Sequence, residues 1–596
     1  SSQVSRTSSE LADVRPQKAS YSSTKFDSLA SCVLFHKKYW TMRGRLLRCS
    51  ISALVPSPSS ATRTAFVHGR QAAVIGRWQS TGAVTGTMIP QEAHSELVVD
   101  APRTLSFDDA TEAFRSKSMR ELLRAYAVFR ACSFDMLVNR QMTLLSWTHR
   151  LLGGALFRRL MNYTIYGQFM GGETNNEVLA RAAHHRQYGV YPMFAFTARE
   201  THGVPPALKS ISRYSDDLVP EELWDMNLKE CMNSIQIGAQ SQDSCMYSIV
   251  TTKVTFLGSS DLMKKLNSLM KYNFDVVEGR TGLGAELVRG CVDEACSRLL
   301  TYTGNLHLPE AQHIKSKNRE VLLHNVAFHL ELNKCLAEKT KEDVPVLTDT
   351  DQRDLAALWK RADTLASFAE EKGVTLGIDA EQTYLQLFFD VLVLDLMRRH
   401  NRDKCILQNT YQTYLKGTDE KVMRHAAIAD KEEFKFGARV VRGGYMHEER
   451  RLAASNNYED PVNPTYEATT AMYHRTALWL MRRVKGRPRG DMRVLFASHN
   501  EDTIKFIISQ LDELGISAED QSISVAQLLG MRDHVTFTLG QAGYPVHKLI
   551  HYGEIQECVA YLSRRMQENR SGMMTADRER HLLASELKRR MFKTTV

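Results

Sequence analysis

The sequence lacks the patterns that would assign a chain at once to one of several large protein classes. Its ten cysteines are scattered from Cys32 to Cys558 without a CxxC pair, a usage typical of reduced thiols rather than of a disulfide or zinc framework. No run of about 18 apolar residues occurs, so no membrane-spanning helix is expected, while a peripheral membrane contact stays open. No GxGxxG follows a predicted strand, which argues against a Rossmann nucleotide site.

Patterns for catalysis by a protein nucleophile or by a metal are missing as well. The sequence has no Ser-His-Asp arrangement and no closely spaced set of His, Cys and Asp, so neither a catalytic triad nor a metal centre is expected. Asp349 and Asp351 lie close together, but they lack the Gly and the distal Glu of a calcium-binding loop. We interpret this pair as the capped start of a helix.

Acidic residues are absent from a long stretch near the start of the chain. Residues 28–91 contain no Asp or Glu and eight Lys or Arg, which account for nearly all of the formal net charge of +9. Because the remaining chain is almost neutral, we expect no nucleic-acid partner. The segment MRGRLLR from Met42 has the composition of a mitochondrial transit peptide, and we interpret Met42 as the natural start. Residues 1–91 are therefore predicted to be a targeting segment and flexible lead, with a generic basic tail as the alternative.

The rest of the chain alternates short apolar runs with helical patterns. Residues 92–185 are predicted to form a helical N-terminal region, and residues 186–596 carry eight candidate strands separated by helices. This order is typical of a parallel α/β fold, and eight strands predict a (β/α)8 TIM-like barrel, with a doubly wound sheet as the alternative. A helical insertion is expected at about 259–373, because that connection is too long for a barrel loop. The predicted strands are Gly189–Phe196, Ser248–Leu257, Thr375–Asp379, Ile406–Thr410, Ala438–Val441, Val494–Ala497, Ile523–Ala526 and Val535–Leu539.

Polar side chains are predicted to gather at one rim of this barrel, because barrel active sites lie at the C-terminal ends of the strands. Each residue alone has a structural explanation: Lys253 could pair with Asp379, and Asn500 could start a helix. Together, the cationic and amide donors suit a large anionic, ring-bearing cofactor beside a small carboxylate, and the cofactor would then perform the difficult chemical step. The residues at or near these strand ends are Lys253, Asp379, Gln412, Arg439, Tyr445, His499, Asn500, Gln527 and Gln541.

A second candidate site lies near the C-terminus on a predicted helix. Tyr561, Arg565 and Glu568 fall at positions i, i+4 and i+7, and Arg564 borders the same face. Two adjacent guanidinium groups repel each other unless an anion lies near both, and the guanidinium fork can bind both oxygens of a carboxylate. The alternative is a solvated basic helix face. The stripe predicts a binding site for a small carboxylate.

Six ordered motifs resemble those of the proline dehydrogenase family, in its eukaryotic mitochondrial branch. The resemblance extends from about Tyr166 to the C-terminus. It implies a flavin-dependent (β/α)8 barrel that oxidises L-proline to Δ1-pyrroline-5-carboxylate by hydride transfer to N5 of FAD. It also implies electron transfer to quinone and peripheral association with the matrix side of the inner mitochondrial membrane. The motifs are RVVRGGY at 439–445, DPVNPTYEAT at 460–469, ASHN at 497–500, QLLGM at 527–531, LGQAG at 539–543 and YLSRR at 561–565.

The resemblance also implies roles for individual residues. Arg564 and Arg565 would bind the substrate carboxylate, and Glu568 would orient an arginine. Lys253 would lie near both flavin and substrate, paired with Asp379. The other residues implied by the motifs are Val440, Tyr445 and Tyr561 around the substrate ring, and Gln412, Arg439, Gly443, His499, Asn500 and Gln527 around FAD.

Two positions depart from the family pattern. Leu549, expected beside the substrate ring, stands where many members carry an aromatic residue and the hydroxyproline branch carries something smaller, so the ring preference stays open. The first predicted strand ends in Ala195-Phe196, where the family usually has an acidic residue followed by Tyr. The alternative functions are hydroxyproline oxidation by the same fold and a barrel that acts as a scaffold without catalysis.

Overall fold

The structure, a computed structural model, describes residues 105–197, 220–242, 247–301, 319–340, 344–571 and 573–593. The predicted targeting segment at 1–91 lies outside these ranges. Within them, the structure contains no helix with the length and apolar character needed to cross a bilayer.

Eight parallel strands close into a barrel, and each strand pairs with the next along the chain. The first strand pairs with the last over seven residues, from Val190 opposite Val546 to Phe196 opposite Tyr552. This closed order confirms the predicted (β/α)8 barrel and excludes a doubly wound sheet. The strands are β1 (Val190–Phe196), β2 (Ile249–Thr252), β3 (Thr375–Ile378), β4 (Leu407–Gln412), β5 (Phe436–Val441), β6 (Met492–Ala497), β7 (Ile523–Leu528) and β8 (Val546–Tyr552).

Helices cover the barrel and precede it. The helices of the described residues are α1 (Ala110–Ala113), α2 (Met119–Cys132), α3 (Asp135–Asn139), α4 (Gln141–Tyr163), α5 (Ile165–Phe169), α6 (Asn175–Arg186), α7 (Pro220–Gln240), α8 (Ser260–Val277), α9 (Ala285–Thr301), α10 (Arg319–Leu322), α11 (Val326–Lys339), α12 (Asp349–Lys372), α13 (Thr383–His400), α14 (Thr418–Lys431), α15 (Met446–Asn456), α16 (Tyr466–Lys485), α17 (Glu501–Leu514), α18 (Asp533–Gln541), α19 (Val559–Ser571) and α20 (Met573–Lys593).

The eighth strand was predicted in the wrong place. Residues Val535–Leu539 lie in helix α18, although their β-branched and aromatic side chains favour a strand. The true strand β8 contains Lys548, whose side chain is fully buried on the outer face of the barrel and lies 2.8 Å from the Asp533 carboxylate. Pairing at a distance thus overrides local propensity. Gln541 consequently ends a helix, and its amide donates to the Glu112 carbonyl instead of lying at the rim.

Side chains alternate between the inside of the barrel and the layer beneath the helices. Met193, Ile249, Leu495 and Ala526 form a small inner core at the base of the lumen. Outward residues of the strands pack with the surrounding helices in the main core. Val440 belongs to that outer layer and is fully buried there, so the predicted contact of its side chain with a substrate ring in the lumen is wrong.

The insertion after β2 is helical, as predicted, over its described residues. Two of its helices, α10 and α11, are separated by a break at which the Asn325 side chain caps the second. Helix α12 begins with a capping box in which the Thr348 hydroxyl accepts from the Asp351 backbone and the Asp351 carboxylate accepts from the Thr348 backbone. Asp351 is therefore a capping residue.

The N-terminal helices form a second core together with the C-terminal helices. Phe114, Leu122 and Phe169 pack with Tyr561 and Leu562 of α19. Helix α4 is broken at Gly153, where a φ of +70° requires the left-handed region that glycine tolerates. The helical region thus supports α19, which carries the predicted carboxylate site.

Candidate active site

Lys253 lies just beyond the end of β2, because the strand stops at Thr252 and a 3-10 turn, Val254–Phe256, follows. Its ammonium nitrogen is 3.7 Å from the Glu381 carboxylate, and the lysine side chain is 26% exposed. The Glu381 carboxylate also accepts from the Thr255 hydroxyl at 2.8 Å. Burial raises the pKa of Glu381, and the nearby Lys253 acts in the opposite direction. The pair places two charges at the rim, where the lysine is partly exposed.

Asp379, at the end of β3, forms its ion pair with Arg439 of β5 rather than with Lys253 as predicted. The Arg439 guanidinium crosses the inside of the barrel and donates to the Thr410 hydroxyl of the intervening strand at 2.9 Å. A Cβ at Gly377 would lie 3.2 Å from this guanidinium, so the glycine leaves the room that the crossing needs. The partner of Lys253, Glu381, stands two residues after Asp379, and sequence reasoning missed its role.

Gln412 and Tyr445 lie beside this carboxylate. The Gln412 amide donates to the Glu381 carbonyl at 2.8 Å and accepts from the Tyr414 hydroxyl at 2.7 Å, so it orders the rim. The Tyr414 hydroxyl also accepts from the Tyr445 backbone at 3.3 Å. Burial raises the pKa of Tyr445, while Lys253 lowers it and Glu381 raises it, which places this phenol among the rim charges.

The predicted carboxylate site on α19 faces the same rim. The Arg565 guanidinium donates to Glu568 at 2.5 Å and stacks on the Tyr561 ring, with 4.8 Å between the guanidinium carbon and the ring centroid. The Tyr561 hydroxyl is buried without a hydrogen-bond partner among the described residues. The Arg564 charge lowers the pKa of both Tyr445 and His551, which stand at the ends of β5 and β8. The structure therefore brings the α19 stripe and the strand-end residues together.

His551 is a further residue of the site that sequence reasoning missed. Its ring lies 4.2 Å from the Tyr561 ring, measured between centroids, and its Nδ1 is 3.4 Å from the Thr197 hydroxyl. Burial, followed by the charges of Arg565, Arg564 and Lys253, holds the pKa of His551 well below its ordinary value. His551 is therefore neutral at physiological pH. Alternation along the true β8 would have found it, since Leu549 and His551 both face the lumen.

Leu549 lies two residues before His551 on β8, on the same inner face and deeper in the barrel. Its side chain is partly buried and packs on the inner core of Met193 and Ile249. It therefore forms part of the apolar floor beneath the rim. This position is compatible with the predicted contact to a substrate ring.

The predicted cofactor residues after β6 and β7 have partners within the protein. Gln527 lies on the outer face of its strand, where its amide oxygen accepts from Thr536 at 2.8 Å, so its predicted place at the inner rim is wrong. Asn500 caps α17 by accepting from the Thr503 backbone at 2.7 Å, in agreement with its structural explanation. His499 accepts at Nε2 from the Leu528 backbone at 3.1 Å, and burial holds its pKa well below the ordinary value.

A bound cofactor fits the neighbouring segment that follows β5. The guanidinium of Arg442 stacks on the Tyr466 ring at 4.3 Å, and its Nη1 is buried without a hydrogen-bond partner among the described residues. The backbone at Gly443 and Gly444 is exposed beside it. A buried cationic donor next to open backbone suits an anionic or carbonyl-bearing ligand. Across the described ranges, no group of three or more His, Cys, Asp or Glu side chains is placed to hold a metal ion.

Comparison with known proteins gives matches over most of the chain. A family model described as proline dehydrogenase matches residues 264–577. "Proline dehydrogenase 1, mitochondrial" of Drosophila melanogaster is 32% identical over 557 residues, which cover 83% of this chain and 82% of that protein. The human protein of the same name is 31% identical, covering 82% and 90%. "Hydroxyproline dehydrogenase" of Bos taurus is 33% identical over 494 residues, covering 82% and 93%.

Proposed function

The chain belongs to the proline dehydrogenase family, and we propose that it oxidises L-proline to Δ1-pyrroline-5-carboxylate with FAD as its cofactor and a quinone as its electron acceptor. Relatives that cover more than four fifths of this chain are named mitochondrial, and we place this protein in the mitochondrion, on the matrix side of the inner membrane. The composition of residues 28–91 supports that location.

The observation that carries the proposal is a group of cations beside aromatic side chains at the rim. Arg565 stacks on the Tyr561 ring, and the charges of Arg565, Arg564 and Lys253 all act on the neighbouring His551 ring. Such a group suits one carboxylate ligand, such as that of an amino acid. A desolvated guanidinium binds a carboxylate through two parallel hydrogen bonds, and this geometry fixes the orientation of the ligand.

The residues of the rim can orient a cyclic amino acid for oxidation. Oxidation of proline breaks the C–H bond at the ring carbon next to the nitrogen and the N–H bond, so that a C=N bond forms and a hydride and a proton leave. Arg564 and Arg565 would hold the carboxylate, while Tyr561 and Leu549 border the ring on its apolar sides. Tyr445, whose pKa is raised by burial, keeps its proton beside Lys253 and Glu381.

FAD, when bound, would supply the acceptor for the hydride and pass the electrons on to quinone. The residues that would hold it are Arg442 and the open backbone at Gly443, with Arg439 on β5 and His499 after β6. The Asp379–Arg439 pair fixes the Arg439 guanidinium in the lumen. Gln412 contributes by holding the Glu381 backbone in place.

Hydroxyproline oxidation is the second candidate function. The bovine hydroxyproline dehydrogenase is about as similar to this chain as the proline dehydrogenases are. Leu549 is neither aromatic nor small, so this residue favours neither the proline ring nor the hydroxyproline ring. An added hydroxyl changes kcat/KM in an apolar pocket by about 10²-fold at most, so we expect activity on both substrates.

The decisive experiment is an absorbance spectrum of the purified protein before and after anaerobic addition of L-proline. We expect a flavin band that bleaches with L-proline, and kcat/KM for hydroxyproline can be measured on the same sample. A flavin band that neither substrate bleaches would discard the proposed reaction and keep the cofactor. A protein that holds no flavin after reconstitution with FAD would favour the scaffold alternative.

A further inference from the structure

One stretch of the N-terminal helical region exposes far more apolar surface than the rest of the described chain. Seventeen large apolar side chains of the described residues are exposed, and nine of them fall between Phe134 and Tyr163. Monomeric proteins usually expose such residues singly, so this concentration marks an interaction surface. We call it the 134–163 face, and it consists of Phe134, Met136, Leu144, Trp147, Leu151, Leu152, Leu156, Leu160 and Tyr163.

The exposed residues of helix α4 line one side of it. Leu144, Trp147 and Leu151 are spaced i, i+3 and i+7 before the break at Gly153. Leu156, Leu160 and Tyr163 repeat this pattern after the break, at i, i+4 and i+7.

The opposite side of α4 already packs on the protein. Phe157 and Met161 are buried in the second core, and Gln141 is buried against α19. The exposed stripe is therefore additional to the side that docks the helix. Trp147 is 61% exposed and Leu151 is 77% exposed, so none of the described residues covers this side of the helix.

The charges on helix α4 itself have one sign, whereas beyond the helix Asp135 stands between Phe134 and Met136 and Glu173 lies 4.0 Å from Arg158. From residue 141 to residue 172 the sequence contains no Asp or Glu, while Arg150, Arg158 and Arg159 are exposed on α4. An apolar stripe with arginines at its borders and with Trp and Tyr among its members is the pattern of a helix that lies in a membrane interface. A second copy of the chain is a poor occupant, because it would bring the same arginines together without a carboxylate on the helix to compensate them.

We propose that the 134–163 face binds the surface of an anionic phospholipid bilayer. The leucines and Trp147 would enter the acyl boundary, and Arg150, Arg158 and Arg159 would contact the headgroup phosphates. The break at Gly153 separates two helical segments, each with its own apolar stripe facing the lipid.

The 134–163 face lies near the candidate active site, so membrane binding would bring a quinone close to the substrate. This step rests on the proposed function. The Gln141 amide, in the first turn of α4, donates to the Ser563 hydroxyl at 2.7 Å and to its carbonyl at 3.3 Å. Ser563 directly precedes Arg564 and Arg565 on α19. A bilayer bound to α4 therefore lies close to the helix that would hold the substrate, and a lipid-soluble quinone would arrive on that side.

The test is binding of the full-length holoenzyme to vesicles of phosphatidylcholine alone or mixed with phosphatidylglycerol. We expect binding to the anionic vesicles, weakened by salt. The double variant Leu151→Gln/Leu156→Gln should lower the partition coefficient by at least about tenfold, because two exposed leucines lose their apolar burial. The matched control is Val346→Gln/Met423→Gln, which changes two exposed apolar residues of the insertion and of α14 and should bind as the wild type does.

A second pair of variants separates charge from apolar burial. Arg158→Gln/Arg159→Gln should lower binding to anionic vesicles and flatten its salt dependence, with little effect on neutral vesicles. Trp147→Phe should bind normally but lose the blue shift of tryptophan emission that the wild type shows on adding anionic vesicles. Circular dichroism and flavin content establish that each variant is folded.

Several outcomes would overturn the proposal. These are a wild type that ignores anionic vesicles, or leucine and arginine variants that bind as the wild type does. A wild-type dimer that the leucine variants convert to monomers would assign the face to a second copy instead. Proline-dependent reduction of a water-soluble dye without vesicles reports on the proposed function separately. Its absence would discard the reaction and leave the vesicle result standing.

Discussion

The structure contains two clusters of charge, one at the barrel rim and one on the outer side of strand β8. They differ in how completely their side chains are buried. At the rim, Lys253 is a quarter exposed and stands 3.7 Å from Glu381. Behind the strand, Asp533 lies 2.7 Å from Lys117 and 2.8 Å from the fully buried Lys548. The Lys548 ammonium also donates to the Met531 carbonyl at 2.6 Å and to the Thr536 hydroxyl at 2.7 Å. We call the Lys117, Asp533 and Lys548 group the sealed cluster.

The difference separates structural charges from charges that serve a ligand. In the sealed cluster Lys548 has two hydrogen-bond acceptors and an ion-pair partner, and the group ties the first N-terminal helices to the barrel. At the rim, the Lys253–Glu381 pair is longer and Lys253 is partly exposed, so a ligand can reach it. Mutations should therefore affect stability in one cluster and binding or turnover in the other.

The largest expected effect belongs to the sealed cluster. Asp533→Asn would leave Lys548 and Lys117 buried beside a neutral side chain, and we expect the free energy of unfolding to fall by about 3–5 kcal/mol. Urea denaturation measures this loss. Asp430→Asn, which removes a partly exposed partner of Arg483, is the matched control and should cost less than about 1 kcal/mol. Equal losses in the two variants would contradict the distinction.

Arg565→Ala should act on binding. Removing one partner from a desolvated charge pair costs about 2–5 kcal/mol, so the KM for L-proline should rise by at least about thirtyfold. Steady-state kinetics with matched flavin content would show it. Arg565→Lys keeps the charge but loses the fork, and should recover part of the affinity. An unchanged KM in the alanine variant would remove the carboxylate-binding role.

Glu381→Gln should lower turnover more than binding. The variant keeps the size of the side chain but leaves Lys253 without this carboxylate, and we expect kcat to fall by about tenfold. Because burial raises the pKa of Glu381, wild-type activity should also decline on the acidic side as this carboxyl is protonated, whereas the variant should lack that decline. Asp379→Asn, which disrupts the other rim pair, should instead lower flavin content. A pH profile shared by wild type and variant would exclude this role for Glu381.

The smallest effect concerns His534, next to the sealed cluster. Burial lowers its pKa, but the carboxylates of Glu501 and Glu579, 3.6 and 3.9 Å from its ring nitrogens, outweigh burial and raise the pKa above 6.5. Its stabilising contribution is therefore present below pH 6.5 and is lost as pH rises through the higher folded-state pKa. We expect Tm to fall by about 1–2 °C across that interval and His534→Gln to remove the dependence. An identical slope in the variant would assign the dependence to another group.

The rim could be predicted because strand ends and spacing reveal it. Lys253 and Arg565 stand in or beside apolar patterns. Burying a charge there costs free energy, so its presence indicates a functional site. The pairing of the rim charges could not be predicted, because Arg439 reaches Asp379 across β4 through space that Gly377 leaves open. Such a contact depends on barrel curvature, which local sequence does not record.

The misplaced eighth strand had a single physical cause. Lys548 and His547 make the true strand look too polar for a buried element, and only the distant Asp533 explains the lysine. Because of the same error, the sequence did not predict that the His551 side chain faces the barrel interior. That direction follows only from the alternation of side chains along β8. By contrast, the capped start of α17 at Asn500 was visible, since a helix cap is local.

The pairing of β1 with β8 has a consequence for folding during synthesis. The barrel closes along seven paired residues contributed by strands at the two ends of the barrel sequence. Contacts between distant parts of a chain form late, because the intervening loop must be ordered first. The ribosome must therefore synthesise almost the whole chain before the barrel can close. A ligand site at the barrel rim can form only after that. Flavin retention would then report barrel closure, and a prematurely terminated product should remain colourless.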